Sequence, residues 1–235
     1  MTGTLYGLGV GPGDPELMTV KAVRLLRAAS VVAYPAPESG SSFARSIAAP
    51  YLGNGIVEMP IRIPITGGGD PDEAVYDRAA AMLSGHLDAG RDVAVLCEGD
   101  PFFYGSFMYL FGRLADRYPV EVVPGVSSLM ACAAALGAPL SARNDTLIVV
   151  PAPLPAGILR VRLAEADAAA IIKIGRHFEK VRGVLTDLGL VDRARYIERA
   201  TLDNQRVIPI EDVDPAEVPY FSLILVHRRG AAWRP

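Results

Sequence analysis

Three times in the first part of the chain a short apolar run ends in glycine and opens into a segment rich in proline, acid or hydroxyl residues. The segments are Gly7-Leu8-Gly9-Val10-Gly11-Pro12-Gly13-Asp14, Leu96-Cys97-Glu98-Gly99-Asp100-Pro101-Phe102-Phe103-Tyr104-Gly105 and Val122-Val123-Pro124-Gly125-Val126-Ser127-Ser128. A buried strand that stops this way and hands over to a helix is the repeating unit of an α/β protein, whose ligands gather at the C-terminal ends of strands. Around these loops, apolar runs alternate with amphipathic stretches. Strands are predicted at Thr4–Val10, Ser30–Tyr34, Asp92–Cys97 and Val120–Val123. Helices are predicted from Pro15 to Ala29, with Asp14 as N-cap, and at Asp72–Asp88, Ser106–Arg117 and Ser127–Leu136. Later strands at Thr146–Val150, Ala170–Ile174, Ile197–Arg199, Val207–Ile210 and Phe221–His227 have short connections, which points to a mixed sheet without further regular βαβ units. The boundary is expected between Ala138 and Pro155, giving domains 1–141 and 142–235, and the tail HRRGAAWRP reads as frayed.

Composition removes several function classes. A net charge of −3 and a pI near 5.7 lack the basic footprint of a nucleic-acid binder. Two cysteines, Cys97 and Cys132, make no disulfide framework, and His86, His177 and His227 show no metal-ligand spacing, so no metal is expected. The N-terminus has no basic, apolar leader pattern. The uncharged stretch Val122–Ala142 is long enough to cross a bilayer, but its prolines, glycines and serines read as strand, turn, helix and turn. No membrane partner and a cytoplasmic location are expected.

The first loop suits an anion through bare glycine amides and a helix N-terminus, and it suits equally a tight turn with a capped helix. Pro12 interrupts the dinucleotide fingerprint, no acid ends a strand near position 34, and no Gly-Lys-Ser/Thr follows. In the second loop, Asp100 is a ligand carboxylate or a turn residue before Pro101, with three aromatics beside it. In the third, Ser127 is a ligand hydroxyl or a helix N-cap. Neither these serines nor Cys132 has a base nearby, so hydrolase chemistry is disfavoured. The residues alone reach a small-molecule enzyme of unstated chemistry.

In this order and spacing, the three loops resemble the tetrapyrrole (corrin and porphyrin) methyltransferase family. LYGLGVGPGDPELMTVKAVRLLRAASVV is similar to its opening signature, LCEGDPFFYG and VVPGVSS to its central ones, and Tyr196–Thr201 with Gln205 to a late element. Within the family, Val32-Ala33-Tyr34-Pro35, SSFARSIAAPYL and CEGDPFFYGSFMYL resemble the precorrin-2 C-20 methyltransferases. Pro35 stands where many uroporphyrinogen-methylating relatives carry Asp.

The resemblance implies two α/β domains, a mainly parallel N-terminal sheet and a mixed C-terminal one, with S-adenosylmethionine in the cleft between them, and a homodimer. It implies cofactor contacts at Pro12, Glu98, Gly99, Asp100, Phe103, Ser127, Ser128, Ile174, Ala200 and Thr201. Gly11, Gly13, Asp14, Tyr34, Arg62 and Tyr104 are expected to face the tetrapyrrole. The eight carboxylates of precorrin-2 call for a basic trough, for which Arg45, Arg62, Lys173, Arg176 and Arg199 are candidates. The proton acceptor stays open among Asp14, Glu98 and Tyr104. The rival substrate is cobalt-factor II, and another member reaction, methylation of a modified histidine as in diphthine synthase, is the more distant alternative.

Overall fold

The computed structural model describes residues 1–63 and 73–229. Its contacts divide the chain into two units, Met1–Ser127 and Ser128–Pro235.

In the first unit five strands, β1 (Leu5–Gly9), β2 (Val31–Pro37), β3 (Val57–Ile63), β4 (Val93–Cys97) and β5 (Val120–Val123), form one sheet in the order β3-β2-β4-β1-β5. Every pairing is parallel. Such a sheet must be covered on both faces, and the side chains divide accordingly. Val93, Val95 and Cys97 pack with α3 (Glu73–Asp88) and α4 (Phe107–Leu114). Ala94 and Leu96 pack with α1 (Val20–Ala28) and α2 (Phe43–Ala48).

The predicted helix from Pro15 to Ala29 is broken in two. Asp14 Oδ1 accepts from Glu16 N–H at 2.8 Å and starts only a 3-10 turn at Pro15–Leu17. Met18 is then extended, and Thr19 Oγ1 caps α1 by accepting from Ala22 N–H at 3.1 Å. Two caps within six residues leave no room for one continuous helix. Position 72, the expected start of α3, lies outside the described residues.

The second unit contains α5 (Ser128–Leu136), β6 (Leu147–Pro151), α6 (Ala156–Glu165), β7 (Ala168–Ile172), α7 (Phe178–Asp187), β8 (Ala194–Glu198), β9 (Arg206–Ile208) and β10 (Ser222–His227). Its sheet runs β6-β7-β10-β8-β9, with β6 and β7 parallel and the remaining pairs antiparallel. The mixed sheet is as expected, but β6-α6-β7 is a regular βαβ unit that the sequence reading omitted, and α7 was omitted too. The reason lies in α6 itself. Leu159 and Leu163 are buried while Ile158 and Val161 are exposed, so apolar residues surround the helix and no stripe marks it. Pro155 precedes α6 and His177 precedes α7, and neither caps its helix through a side chain.

The division falls before α5 rather than after residue 141, because α5 packs on β8 and β10 of the second sheet. The tail also needs correction. His227 is buried at the end of β10, Arg228 donates to the carbonyls of Leu163, Ala164 and Ala166, and Arg229 bonds Asp145. Residues 230–235 lie outside the described residues. No helix among the described residues is long and apolar enough to cross a membrane.

Candidate functional site

The strand order decides where the three loops meet. They follow β1, β4 and β5, which are neighbours in the order β4-β1-β5, and parallel pairing puts all three C-terminal ends at one edge. There the loops are joined through backbone. Gly11 and Gly99 form an isolated bridge, with Gly99 N–H donating to Gly11 O at 2.8 Å and Gly11 N–H to Gly99 O at 3.3 Å. Gly11 has φ +82° and Gly99 φ +63°, conformations that L side chains rarely adopt. A Cβ on Gly125 would stand 2.0 Å from Gly99 O, and one on Gly9 2.5 Å from Gly125 N. Sequence reasoning placed Gly9 and Gly125 in the motifs but not among the site residues. Their mutual approach is a tertiary fact.

Asp100 holds the second loop to the third. One carboxylate oxygen accepts from Phe102 N–H at 2.9 Å, making the expected turn, and the other accepts from Gly125 N–H at 3.0 Å. Asp100 is therefore a positioning residue first. Phe103 and Tyr104 stack edge-on with centroids 5.1 Å apart, and Tyr104 is exposed with φ +56°. Positive φ in a bulky residue is a conformation held by its surroundings, of the kind that gathers at ligand sites.

Glu98 is the group of most chemical interest in this unit. It is partly buried at the end of β4 and accepts backbone hydrogen bonds from its own residue and from Ala44. Burial pushes its carboxyl above the ordinary range. Among the described residues no cation forms an ion pair with it. A partly buried carboxylate of this kind favours a cationic ligand, so these residues fit a sulfonium- and ammonium-bearing cofactor. Asp14, the rival proton acceptor, caps the 3-10 turn. Cys97 and Cys132 are both buried thiols, and burial pushes Cys132 up to about 12, far from a reactive thiolate.

The expected substrate cations are not equivalent. Arg45 is clamped to Glu58 by Nε to Oε2 at 2.9 Å and Nη2 to Oε1 at 2.8 Å, and Tyr34 donates its hydroxyl to the same carboxylate at 2.7 Å. These donors hold the Glu58 carboxyl down at about 2. Arg45 is thus spent inside the unit, and nothing in the sequence flagged Glu58 as its partner. Arg62 donates one N–H to Pro37 O at 2.7 Å, which fixes its guanidinium beside the end of β2.

In the second unit, β7 and β8 both run antiparallel to β10, so their C-terminal ends share one edge. Lys173 (φ +59°), Arg199 (φ +51°) and Thr201 (φ +72°) follow those ends in left-handed conformations. Thr201 N–H donates to Gln205 Oε1 at 2.8 Å, which joins the two ends of the late motif. Arg199 bonds the buried Glu198 at 2.8 Å, and Glu198 also accepts from Tyr196 and Arg206, so Arg199 is not a free trough cation either. Ile174 is fully buried beside Phe178, which leaves the surface of that strand end to Lys173, Gly175 and the exposed Arg176. Ala200 is nearly buried, and Ser128 begins α5.

The profile of the tetrapyrrole (corrin/porphyrin) methylases matches residues 4–214. The cobalamin biosynthesis protein CobIJ of Mycobacterium tuberculosis strain H37Rv is 48% identical over 232 residues, covering 95% of this chain and 46% of that protein. The chain thus spans about half the length of that relative. The precorrin-2 C(20)-methyltransferase of a Sinorhizobium species is 43% identical over 232 residues, 95% of both chains. Among solved structures, the uroporphyrin-III C-methyltransferase of Thermus thermophilus complexed with S-adenosyl homocysteine is similar, with TM-score 0.69 and 29% identity over 95% of this chain and 97% of that one. With its three stitched loops and a matched region that covers the first sheet and the second as far as β9, this chain belongs to the tetrapyrrole (corrin/porphyrin) methylase family.

Proposed function

We propose that this chain is an S-adenosylmethionine-dependent methyltransferase acting on C-20 of precorrin-2 to give precorrin-3A, a step in building the corrin ring of cobalamin. The observation that carries the reading is near full-length likeness to the Sinorhizobium C-20 enzyme, joined to a glycine-walled loop cluster with an unpaired, partly buried carboxylate. When bound, S-adenosylmethionine supplies a methyl group already activated by its sulfonium.

The chain's own residues do the rest. Pro12, Glu98, Gly99, Asp100, Phe103 and Ser127 of the first unit would hold the cofactor. Asp100 keeps the second and third loops in register, so that the backbone groups meeting the cofactor are fixed before it arrives. Gly11, Gly13, Arg62 and Tyr104 would face the tetrapyrrole, with Arg62 the best-placed cation of the first unit for a substrate carboxylate, whereas Tyr34 is buried with its hydroxyl given to Glu58. The proton lost from the methylated carbon would go to Glu98, whose burial makes it a better base than an ordinary carboxylate. A homodimer in the cytoplasm belongs to the same proposal.

Mass spectrometry tests the substrate. After anaerobic incubation with S-adenosylmethionine, one added methyl is expected on precorrin-2. Transfer to cobalt-factor II alone would move the assignment to the cobalt-containing substrate. For the proton acceptor, Glu98→Gln is expected to lower kcat at saturating S-adenosylmethionine by about 10²-fold or more, separately from its cost in cofactor affinity. The wild-type rate should rise with pH through a carboxyl lying above the ordinary range, because only the ionised form accepts a proton. The variant should lack that limb.

A further inference from the structure

Glu98 meets the rest of the first unit through α2. That helix packs on the sheet face presented by Val32, Tyr34, Ala94 and Leu96, and its second residue, Ala44, is fully buried there. The Ala44 N–H donates to the Glu98 carboxylate. A hydrogen bond of this kind favours the ionised form, so it opposes the burial that pushes the Glu98 carboxyl up. Where α2 lies therefore decides how Glu98 behaves.

Six residues are too few for a helix to hold its own place. Polar ties to β2 and β3 supplement its apolar contacts. Ser42 caps the first turn, accepting from Arg45 N–H at 3.2 Å while its hydroxyl donates to Pro35 O at 2.5 Å. Arg45 makes its two-pronged bond to Glu58, and Tyr34 donates to the same carboxylate. Among the described residues no ion pair joins Arg45 to Glu98, so its influence runs through the helix: Ala44 and Arg45 carry neighbouring amides of one turn. The clamp also keeps its charge while Glu98 titrates. Its donors hold the Glu58 carboxyl at about 2, and burial with the Glu58 contact pushes the Tyr34 hydroxyl up. The other ionisable groups that sense Glu98 are Cys97 and Tyr76, both pushed up by burial, and Asp100 lies in the same loop.

We propose that Arg45 and Glu58 are positioning residues for the methyl transfer: their ion pair, completed by Tyr34, fixes α2 so that the Ala44 N–H stays on the Glu98 carboxylate. This rests on the reading of Glu98 as proton acceptor. The base is then set from the far side of a short helix, by a pair whose bonds are spent on each other and on Tyr34.

Carbon-13 NMR of the glutamate carboxyls in the whole chain tests this without substrate, the Glu98 resonance being identified by its loss in Glu98→Gln. In Arg45→Ala the Glu98 midpoint is expected to rise by about 0.5 on the pH scale or more, because the ionised form loses a donor. Glu58→Gln should move it the same way, and Arg45→Lys, which keeps the charge and one donor, should recover part of the shift. Arg45 and Glu58 are both partly exposed, and Tyr34 still bonds Glu58 when Arg45 is truncated, so no buried charge is stranded. In the full reaction the rising limb of kcat against pH should move with the midpoint, a loss of about threefold below it. The same substitution made in the Glu98→Gln background should cost less than about twofold. A midpoint that stays put or falls in Arg45→Ala, or a loss of kcat that persists in full without Glu98, would overturn the proposal. A raised midpoint in a protein whose wild type transfers no methyl would bear out the clamp and sink the function proposed above.

Discussion

The two units shape their strand-end edges by opposite means. In the first, the turning residues Gly11 and Gly99 are glycines, Tyr104 alone among its described residues keeps a side chain at positive φ, and Gly9, Gly99 and Gly125 touch so closely that the backbone itself is the surface. In the second, Lys173, Arg199 and Thr201 adopt the same left-handed backbone region while keeping full side chains. A left-handed L residue costs about 1–2 kcal/mol, a cost glycine does not incur. The first edge is therefore built for close approach to backbone groups. The second retains side chains against a conformational penalty, as residues held by their surroundings do.

Substitutions on each edge sharpen that contrast. The largest effect is expected from Gly125→Ala, whose methyl would stand 2.0 Å from Gly99 O. Since both neighbours are backbone, a loss of about 3 kcal/mol or more is expected in chemical denaturation. A loss under about 1 kcal/mol would show that the loops separate easily and that the close packing is incidental.

Asp100→Ala should come next. It leaves the Gly125 and Phe102 amides without their acceptor, at about 1–3 kcal/mol, and should weaken S-adenosylhomocysteine binding at least tenfold by loosening the second loop against the third. Asp100→Asn, which keeps one oxygen acceptor, should recover part of both. Affinity unchanged in Asp100→Ala would separate this tether from the cofactor site.

The smallest effect, and the most telling for the comparison, is expected at Lys173. Lys173→Gly relieves the left-handed strain and should raise Tm by about 2–4 °C while lowering methyl transfer. A higher Tm with full activity would make the second edge merely strained. A lower Tm would mean that the Lys173 side chain stabilises the fold by more than its backbone costs.

Much of the architecture was legible in advance because it rests on local rules. Alternating apolar runs gave β1, β4 and β5 nearly to the residue, and Thr4–Val10 needed only trimming to Leu5–Gly9. The failures also have local causes. The helix expected from Asp14 was divided by a second cap at Thr19, and α6 carries apolar residues all round. Arg45 and Arg199 read as substrate cations because each stands near a strand end. Glu58, the partner of Arg45, lies on another element, and Glu198, though adjacent to Arg199, is buried in a network with Tyr196 and Arg206 that charge spacing along the chain does not reveal.

What the sequence alone determined was the alphabet of the site: glycines where a chain must turn or be approached, an acid and aromatics at one strand end, serines at another, and four motifs in family order. Those are properties of short segments, and short-range sterics and polarity write them. Only the tertiary structure decided that β1 lies between β4 and β5, so that three separate motifs share one edge. It also decided that Asp100 reaches across to Gly125, and that His227, at the end of the last strand, is buried against Asp145 rather than frayed in solvent. Strand order and cross-strand register are settled by long-range packing, and no window along the chain contains them.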